Sequence, residues 1–221
     1  MAINIAIDGP AGAGKSTIAK RLASKYSFIY VDTGAMYRTM ALFYLRQGTD
    51  TADEAAVSER CKDITVEIKY IGGSQHLILN GEDVTDYIRT EEVGNSASKV
   101  SVYGAVREKL VALQKELAKT TDVVMDGRDI GTVVLPDARV KIYLTASVET
   151  RAKRRFDELV AKGATPDLKV IEEDIRARDE RDMTREISPL KKADDAVEID
   201  SSDMNIDEVV EAISEVIEDR L

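Results

Sequence analysis

The sequence predicts an α/β fold in which a central parallel five-stranded sheet is flanked by helices. Short apolar, β-branched runs alternate along the chain with longer segments of helical periodicity, as expected for successive βα units. The apolar runs are also largely free of polar residues, which is typical of parallel strands covered on both faces. These predicted strands are Ile3–Ile7, Phe28–Val31, Val123–Met125, Val140–Leu144 and Ala196–Ile199.

Helical patterns follow most of the predicted strands. The predicted helices are Lys15–Ser24, Ala35–Leu45, Ala105–Ala118, Val148–Ala161 and Ile206–Ile217. In the last of these, apolar residues recur at helical spacing from Ile206 through Val209 and Ile213. The chain is therefore expected to close with an amphipathic helix.

The interval between the second and third predicted strands, residues 49–121, has a different pattern. Residues 64–70 alternate with a period of two, Gly72-Gly73 interrupts the alternation, and Gln75–Leu79 resumes it before Asn80-Gly81. Alternation broken by such turn residues is typical of an antiparallel hairpin. We therefore expect a small inserted antiparallel β/α subdomain over about residues 60–90.

Composition excludes several classes of function. Lys and Arg number 31 against 41 Asp and Glu, and this net charge of −10 disfavours binding to a nucleic-acid backbone. One histidine is too few for a His-rich metal centre.

The sequence has no apolar run of the roughly 20 residues that a membrane span needs, and its N-terminus lacks the features of a signal peptide. A lone cysteine, Cys61, cannot form an internal disulfide, so we expect a cytoplasmic protein that binds neither membranes nor nucleic acid.

A phosphate-binding loop follows the first predicted strand. The sequence matches G-x-x-x-x-G-K-[ST], between a strand and a helix, over Gly9, Pro10, Ala11, Gly12, Ala13, Gly14, Lys15, Ser16 and Thr17. Such a loop turns its backbone N–H groups towards phosphate oxygens, and the following helix presents its positive end. Lys15 is expected to neutralise the β- and γ-phosphates of ATP, and the Ser16 hydroxyl to complete the coordination of Mg²⁺.

The motif predicts nucleotide binding, and further features narrow the reaction. A GTPase needs a guanine-reading Asn-Lys-x-Asp motif, and none of the asparagines precedes a lysine. The large motor and remodelling ATPases are usually built on bigger domains than a chain of 221 residues provides. A small phosphotransferase remains, and it requires a second anion pocket that faces the γ-phosphate.

Arginines at the carboxyl ends of two predicted strands are candidates for that pocket. Asp32-Thr33-Gly34 opens a predicted helix that carries Arg38, with Thr33 as the expected helix cap. Arg38 is either a planar fork for a phosphate or a solvated arginine on an ordinary helix. The third strand runs directly into Asp126-Gly127-Arg128-Asp129. The Asp126 carboxylate either contacts the metal ion or a water molecule, or caps the backbone before a loop.

A third basic cluster lies near residue 180. Arg178, Arg181, Asp182 and Arg185 fall on one stripe if the segment is helical throughout. In isolation such a stripe is typical of a solvated, salt-bridged face. Together with the other two clusters, it favours an anion clamp, because phosphoryl transfer depends on positioning and charge neutralisation.

Taken together, these residues resemble the bacterial cytidylate kinases, a family of P-loop enzymes that phosphorylate CMP and dCMP. The resemblance covers nearly the whole chain and rests on residues 7–17, Asp32–Arg38, Asp126–Thr132 and Arg178–Asp182. The phosphate loop is generic, whereas the Asp32–Arg38 and Asp126–Thr132 segments are specific in this order. The resemblance implies a P-loop kinase fold and transfer of the γ-phosphoryl group of ATP to CMP or dCMP, with Mg²⁺.

The resemblance also implies a role for individual residues. Lys15, Arg38, Arg128 and Arg185 match the catalytic positions. Ser98, Arg107 and Asp129 match positions that read the cytosine edge, and Arg178 and Asp182 match positions that contact the sugar hydroxyls. The full set of implied CMP-binding residues is Thr33, Tyr37, Arg38, Ser98, Arg107, Arg128, Asp129, Arg178, Asp182 and Arg185. Asp32 is a second candidate metal ligand beside Ser16.

On this interpretation the chain is a single kinase unit with three kinds of region, and we expect a monomer. The core comprises residues 1–48, 105–147 and 188–221, the acceptor-binding region residues 49–104, and the lid region residues 148–187. The basic run Arg151–Arg155 either belongs to a mobile lid over ATP or is simply a basic helix start. Two alternatives to a cytidylate kinase remain open: a small P-loop kinase with another acceptor, such as a shikimate- or gluconate-type enzyme, and a nucleotide-dependent switch protein without an acceptor.

Overall fold

The computed structural model describes residues 2–221 and consists of two compact units. The phosphate-loop unit comprises the residues up to Tyr30 together with Thr121–Leu221, and the hairpin unit comprises Val31–Thr120. The boundaries of the three functional regions given above stay a prediction, because they are defined by substrate and not by compactness.

The strands and helices follow the predicted order closely. The strands are β1 Asn4–Asp8, β2 Ile29–Asp32, β3 Val66–Ile71, β4 Ser74–Leu79, β5 Glu82–Asp83, β6 Val123–Gly127, β7 Val140–Thr145 and β8 Val197–Asp200. The helices are α1 Lys15–Tyr26, α2 Thr33–Arg46, α3 Glu54–Arg60, α4 Glu91–Val100, α5 Gly104–Thr120, α6 Val148–Ala161, α7 Leu168–Thr184 and α8 Ile206–Arg220. A short 3₁₀ helix spans Cys61–Asp63, and a π-helical turn spans Ile130–Val134.

The central sheet is parallel and has the strand order β2-β6-β1-β7-β8, which confirms the predicted fold class. Ile5 of β1 pairs with Val124 of β6 on one side and with Val140 of β7 on the other. All three residues are fully buried and pack with apolar residues of α1 and α8, such as Leu22 and Ile213. Because the strands are parallel, their carboxyl ends meet at one edge, where Asp8 lies opposite Gly127 and Tyr143.

The hairpin unit contains a separate antiparallel sheet of three strands, in the order β3-β4-β5. Val66 pairs with Leu79 and Ile71 with Ser74, so the turn lies at Gly72-Gly73 as the sequence predicts. Both glycines have positive φ, 58° and 78°, which a two-residue turn of this kind requires. The sheet packs on α2 through a core that includes Met40, Tyr44, Leu77 and Leu79.

Two helices of this unit, α3 and α4, are additions to the predicted set. They are short, and α4 contains Gly94, Asn95 and two serines, so its composition does not indicate a helix. Both are capped at their N-termini: Asp53 accepts from the Ala56 N–H and Thr90 from the Val93 N–H. Apolar burial on one side, as at Val57 and Val93, supplies the remaining stabilisation. In the part of the chain that the structure describes, no helix is both long and apolar enough to cross a membrane.

Candidate active site

The phosphate loop connects the end of β1 to the start of α1, and its backbone geometry depends on glycine. A Cβ atom on Gly9 would lie 1.9 Å from the Leu144 carbonyl oxygen, so no other residue fits there. Gly14, with φ of 88°, precedes α1 and has no side chain that could cap the helix. The first N–H groups of α1 are therefore available to an anion, which is the arrangement that phosphate binding needs.

Lys15 lies inside this loop and is buried, with Nζ donating to the Pro10 carbonyl at 2.7 Å. Burial, assisted by the positive charge of Arg128, lowers the pKa of Lys15 to about 7, although the carboxylates of Asp126 and Asp8 act in the opposite direction. A phosphate oxygen beside Nζ favours the charged form of the lysine. We therefore expect the pKa of Lys15 to rise when an anion binds next to Nζ.

An oxygen-rich site lies beside the loop, at the carboxyl end of β6. The Ser16 hydroxyl donates to Asp126 Oδ2 at 3.0 Å, and the Tyr30 hydroxyl donates to Asp126 Oδ1 at 2.8 Å. Hydroxyl and carboxylate oxygens are the ligands that Mg²⁺ prefers, so these residues fit a magnesium ion. Within residues 2–221 no three His, Cys, Asp or Glu side chains come together as metal ligands, so most of the remaining ligands of such an ion would be waters and phosphate oxygens.

Asp8, the last residue of β1, binds the turn that follows β6. Its Oδ1 accepts from the Ile130 N–H at 2.8 Å and its Oδ2 from the Gly131 N–H at 2.7 Å. Burial raises the pKa of Asp8 from 3.8 to about 6, against the lowering effect of these two hydrogen bonds. The carboxylate of Asp129 raises this pKa further, whereas Lys15 lowers it.

The pH dependence of stability should reveal this buried carboxyl group. The pKa is higher in the folded than in the unfolded chain, so the neutral carboxyl group stabilises the fold below pH 3.8, and this stabilisation is lost as the pH rises through about 6. Between pH 4 and 7 this contribution should lower the free energy of unfolding by about 2 kcal/mol. Urea unfolding of the wild type and of Asp8→Asn across this range measures it. The difference between the two proteins should change with pH, and a constant difference would contradict the shifted pKa.

A cluster of buried and partly buried charges lies along the same edge of the phosphate-loop unit. Arg128 Nε donates to Asp182 Oδ2 at 2.8 Å, and Arg185 Nη2 lies 3.8 Å from Asp129 Oδ1. Although burial acts against it, the positive charge of Arg128 holds the pKa of Asp182 below its usual value. The positive charges of Arg128 and Arg178 also lower the pKa of Lys15, so these arginines act on the phosphate loop electrostatically. The cluster can therefore bind anions next to the loop.

The helical stripe predicted near residue 180 is only partly correct. Arg178, Arg181 and Asp182 lie on α7, but Arg185 lies beyond its last residue with an extended backbone, φ −60° and ψ 141°. Its Nε donates to the Ser188 carbonyl at 2.7 Å. Arg185 thus reaches Asp129 from a loop, because the helix ends at Thr184.

In the hairpin unit, Asp32 organises the start of α2. Its Oδ1 accepts from the Ala35 N–H at 2.8 Å, so Asp32 and not Thr33 caps the helix. The expectation for Thr33 is wrong because Asp32 already has the extended backbone of a capping residue, while Thr33 is the first helical residue. Asp32 Oδ2 accepts from Arg38 at 3.1 Å and from Arg89 at 3.0 Å. Arg89 was not among the predicted site residues, because no sequence signal distinguishes it from other surface arginines.

The remaining candidate residues of the hairpin unit lie on α2, α4 and α5. The Arg107 guanidinium is buried, donates to the Ser101 carbonyl at 3.1 Å, and lies 5.8 Å from the centre of the Tyr37 ring. Ser98 is buried on α4. A buried guanidinium is rare unless polar groups or an anion pair with it, so Arg107 is a strong candidate for a residue that binds a polar ligand.

The predicted site residues thus form two groups, one in each unit. The group in the hairpin unit consists of Asp32, Thr33, Tyr37, Arg38, Ser98 and Arg107. The group in the phosphate-loop unit consists of Gly9–Thr17, Arg128, Asp129, Arg178, Asp182 and Arg185.

Arg151 is a residue of the site region that the sequence left undecided. Its side chain is buried, and its Nη1 donates to the Ala11 carbonyl of the phosphate loop at 3.0 Å. Nη2 pairs with Asp179 on α7 at 2.6 Å, and Nε donates to the Ala146 carbonyl. The basic run Arg151–Arg155 gave no signal that its first arginine differs from the rest, because the partners lie far away in the sequence.

Replacing Arg151 with lysine should weaken nucleotide binding. An ammonium group cannot bind Ala11, Ala146 and Asp179 at once in the geometry of a guanidinium fork, so the loop loses a support. We expect the Kd for ATP to rise about tenfold, with a loss of stability of about 3 kcal/mol from the poorly paired Asp179. Titration calorimetry measures the first effect and urea unfolding the second. Arg21→Lys, which alters an exposed ion pair with Asp207, is the control and should change neither. An unchanged Kd for the Arg151 variant would show that the loop does not depend on this residue.

Comparison with known proteins agrees with this geometry. A model of the cytidylate kinase family matches residues 5–219. The chain is 51% identical over 219 residues to a cytidylate kinase of Geobacillus sp. (strain WCH70), covering 99% of this chain and 98% of that protein. It is 53% identical over 215 residues to a cytidylate kinase of Bacillus licheniformis, covering 97% and 95% of the two chains.

Solved structures with much lower sequence identity to this chain share its fold. Shikimate kinase from Acinetobacter baumannii, solved in complex with shikimate, has a TM-score of 0.50 and 16% identity, covering 99% of this chain and 94% of that one. This similarity indicates a P-loop kinase fold and nothing about the acceptor. The family match and the two relatives extend over almost the whole sequence, including the loop, the arginines and the hairpin unit, and the chain therefore belongs to the cytidylate kinase family.

Proposed function

We propose that the protein transfers the γ-phosphoryl group of ATP to CMP or dCMP, which gives ADP and CDP or dCDP. The observation that carries this proposal is the set of ion pairs Arg128–Asp182 and Arg185–Asp129, whose carboxylates are buried at the edge of the sheet that also bears the phosphate loop. Family membership supports the same reaction.

ATP is proposed to bind through the loop Gly9–Thr17. The backbone N–H groups and the start of α1 receive the phosphate oxygens, and Lys15 places its charge beside the β- and γ-phosphates. As the loose transition state forms, the breaking P–O bond moves negative charge towards the leaving oxygen between the β- and γ-phosphates, so a fixed cation at this position stabilises the transition state without reorganisation.

Ser16 and Asp126 are the residues we propose to hold Mg²⁺. The ion, when bound, neutralises charge on the β- and γ-phosphate oxygens. Asp32 is the weaker of the candidates for a second ligand, because the Ala35 N–H and two guanidinium groups already bind its carboxylate oxygens. Asp126, in contrast, already contacts Ser16.

The phosphate of CMP is proposed to bind Arg38, Arg128 and Arg185. All three can form two parallel hydrogen bonds to phosphate oxygens, which fixes the orientation of the acceptor as well as its position. The attacking group is itself an anionic phosphate oxygen, so the reaction needs no strong general base. Catalysis then consists of alignment and of neutralisation of the charges that the two substrates bring together.

Recognition of the base and the sugar is assigned to the remaining residues. Ser98, Arg107 and Asp129 read the cytosine edge, where the Asp129 carboxylate accepts from the exocyclic amine. Arg178 and Asp182 contact the sugar hydroxyls. Thr33 and Tyr37 line the same substrate, Tyr37 next to the Arg107 guanidinium.

The expected setting follows from composition and is part of the same proposal. We infer a monomer in the cytoplasm that binds neither nucleic acid nor membranes, since the chain carries a net charge of −10 and a single cysteine. The alternatives, a kinase for another acceptor or a switch protein, are not favoured by the family match over residues 5–219.

An acceptor panel tests the proposed reaction. ADP release from ATP and Mg²⁺ is followed in a coupled assay with CMP, dCMP, UMP, AMP, GMP, shikimate or gluconate as the acceptor. We expect turnover with CMP and dCMP that is at least about tenfold above that with the purine nucleotides, and background rates with the two non-nucleotide acceptors. Preference for shikimate or gluconate would favour the other small kinases, and slow ATP hydrolysis that CMP does not alter would favour a switch protein.

A further inference from the structure

Arg128 and Asp129 lie between the end of β6 and a short helical turn, and the first N–H groups of that turn bond outside it. After Asp129 the chain forms the π-helical turn Ile130–Val134, in which the Val133 and Val134 N–H groups bond to the Asp129 carbonyl. The first N–H groups of such a turn have no partner within it. Those of Ile130 and Gly131 need an acceptor from elsewhere in the chain.

Asp8 supplies both acceptors from a position 122 residues earlier in the sequence. The register of the sheet places Asp8 directly opposite Gly127, so its side chain extends beyond the end of β6 towards the turn. One carboxylate oxygen binds each N–H group, at 2.8 Å and 2.7 Å. Negative charge at the start of a helical turn is favourable as well, because the N–H dipoles point towards it.

The contact between Asp8 and the turn is enclosed by protein atoms. A Cβ atom on Gly131 would lie 3.4 Å from Asp8 Oδ2 and 3.2 Å from Lys141 Cδ. Asp8 itself is only 4% exposed, and a buried carboxylate is costly unless its hydrogen bonds compensate. A position that served packing alone would be filled at lower cost by an apolar residue.

We propose that Asp8 is a positioning residue for the acceptor, because its two hydrogen bonds fix the turn that aims Arg128 and Asp129 at CMP. This inference rests on the proposed function and adds a role to a residue at the start of the phosphate loop. Arg128 is bound to Asp182, and Asp129 lies near Arg185, so a displaced turn disturbs both ion pairs. Asp8 touches no substrate in this scheme, and it acts only through the backbone of Ile130 and Gly131.

Asp8→Asn is the informative variant. Asparagine has the same shape but a single acceptor oxygen, so one of the two N–H groups would face an NH₂ group. We expect the KM for CMP to rise about tenfold and kcat to fall about tenfold, while the KM for ATP changes by less than about threefold. A merely structural role would instead lower stability and leave both KM values unchanged, and this result would overturn the inference.

Two further variants keep the test decisive. Gly131→Val, whose side chain extends beyond a Cβ position that already lies 3.4 Å from Asp8 Oδ2, crowds the same contact from the turn side. It should reproduce the selective rise in the KM for CMP, even if Asp8→Asn folds poorly. Asp122→Asn is the matched control, because Asp122 Oδ1 accepts from the Ile3 N–H at the opposite end of β1. It removes a carboxylate–backbone contact of the same kind and should leave both KM values within about twofold. An equal effect of Asp122→Asn would reduce the role of Asp8 to general stability.

The wild-type enzyme separates this inference from the proposed function. If the wild type does not phosphorylate CMP, the proposed function fails. If it does, but Asp8→Asn and Gly131→Val leave the KM for CMP unchanged, only the role of Asp8 fails.

Discussion

Replacing Lys15 with methionine is expected to lower kcat for CMP phosphorylation by about 10³-fold. The buried ammonium group is the charge that the loop offers to the β- and γ-phosphates, and it can shift from the Pro10 carbonyl, 2.7 Å away, to a phosphate oxygen. Methionine fills a similar volume but cannot stabilise the transferred group. Steady-state and single-turnover rates with ATP, Mg²⁺ and CMP measure the loss.

The same variant should be at least as stable as the wild type. Burial lowers the pKa of Lys15 from 10.5 to about 7, so its positive charge opposes folding at neutral pH, and methionine removes that charge. A fall in activity without a fall in urea stability identifies a functional residue. Lys25→Met, on the same helix but in an exposed ion pair with Glu218, is the control and should retain full activity. A Lys15 variant that keeps more than about a tenth of the wild-type rate would contradict the assignment.

Replacing Asp129 with alanine should reduce kcat/KM for CMP by about 10³-fold and change ATP binding by less than about threefold. A carboxylate accepts from the exocyclic amine of cytosine, whereas the carbonyl oxygen of uracil would face it lone pair against lone pair. A buried hydrogen-bonding site rejects the wrong base because its polar groups are then left unpaired. Kinetics with CMP and UMP, together with calorimetry for ATP, test the prediction, and equal losses of CMP turnover and ATP binding would count against it.

Asp129→Asn gives a result that loss of folding cannot imitate. The amide keeps the size of the carboxylate near Arg185 but adds donor hydrogens that can bind the uracil carbonyl. The ratio of kcat/KM values for UMP and CMP should therefore rise by about tenfold or more. An unchanged ratio would show that another residue recognises the cytosine edge, and Ser98 and Arg107 would be the remaining candidates.

Much of the fold could be predicted because its signals are local. The phosphate loop follows from nine consecutive residues, and the antiparallel hairpin from alternation on each side of Gly72-Gly73. The strands of the central sheet are short apolar runs whose burial on both faces leaves a clear pattern. The helix α4 left no such pattern, since its residues are weak helix formers that depend on the Thr90 cap and on packing.

The sequence supplied candidate residues for the site, which stay a prediction, and it did not supply the contacts between them. The sequence placed Arg128, Asp129 and Arg185 among the candidates, but it put Arg185 on a helix that in fact ends at Thr184. It also predicted Thr33 as the helix cap, whereas the Asp32 carboxylate accepts the hydrogen bond from the Ala35 N–H. Both errors concern helix ends, where a shift of one residue decides which side chain reaches the backbone.

The nucleotide loop, the alternating α/β architecture and the family can be predicted from the chain alone, since each depends on the order of neighbouring residues. The contacts of Asp8 with the turn after β6 and of Arg151 with the Ala11 carbonyl span 122 and 140 residues, and they are visible only in the folded molecule. Such partners depend on the order and register of the strands and on the packing of the helices, which bring distant side chains to one edge. No periodicity along the chain encodes that arrangement.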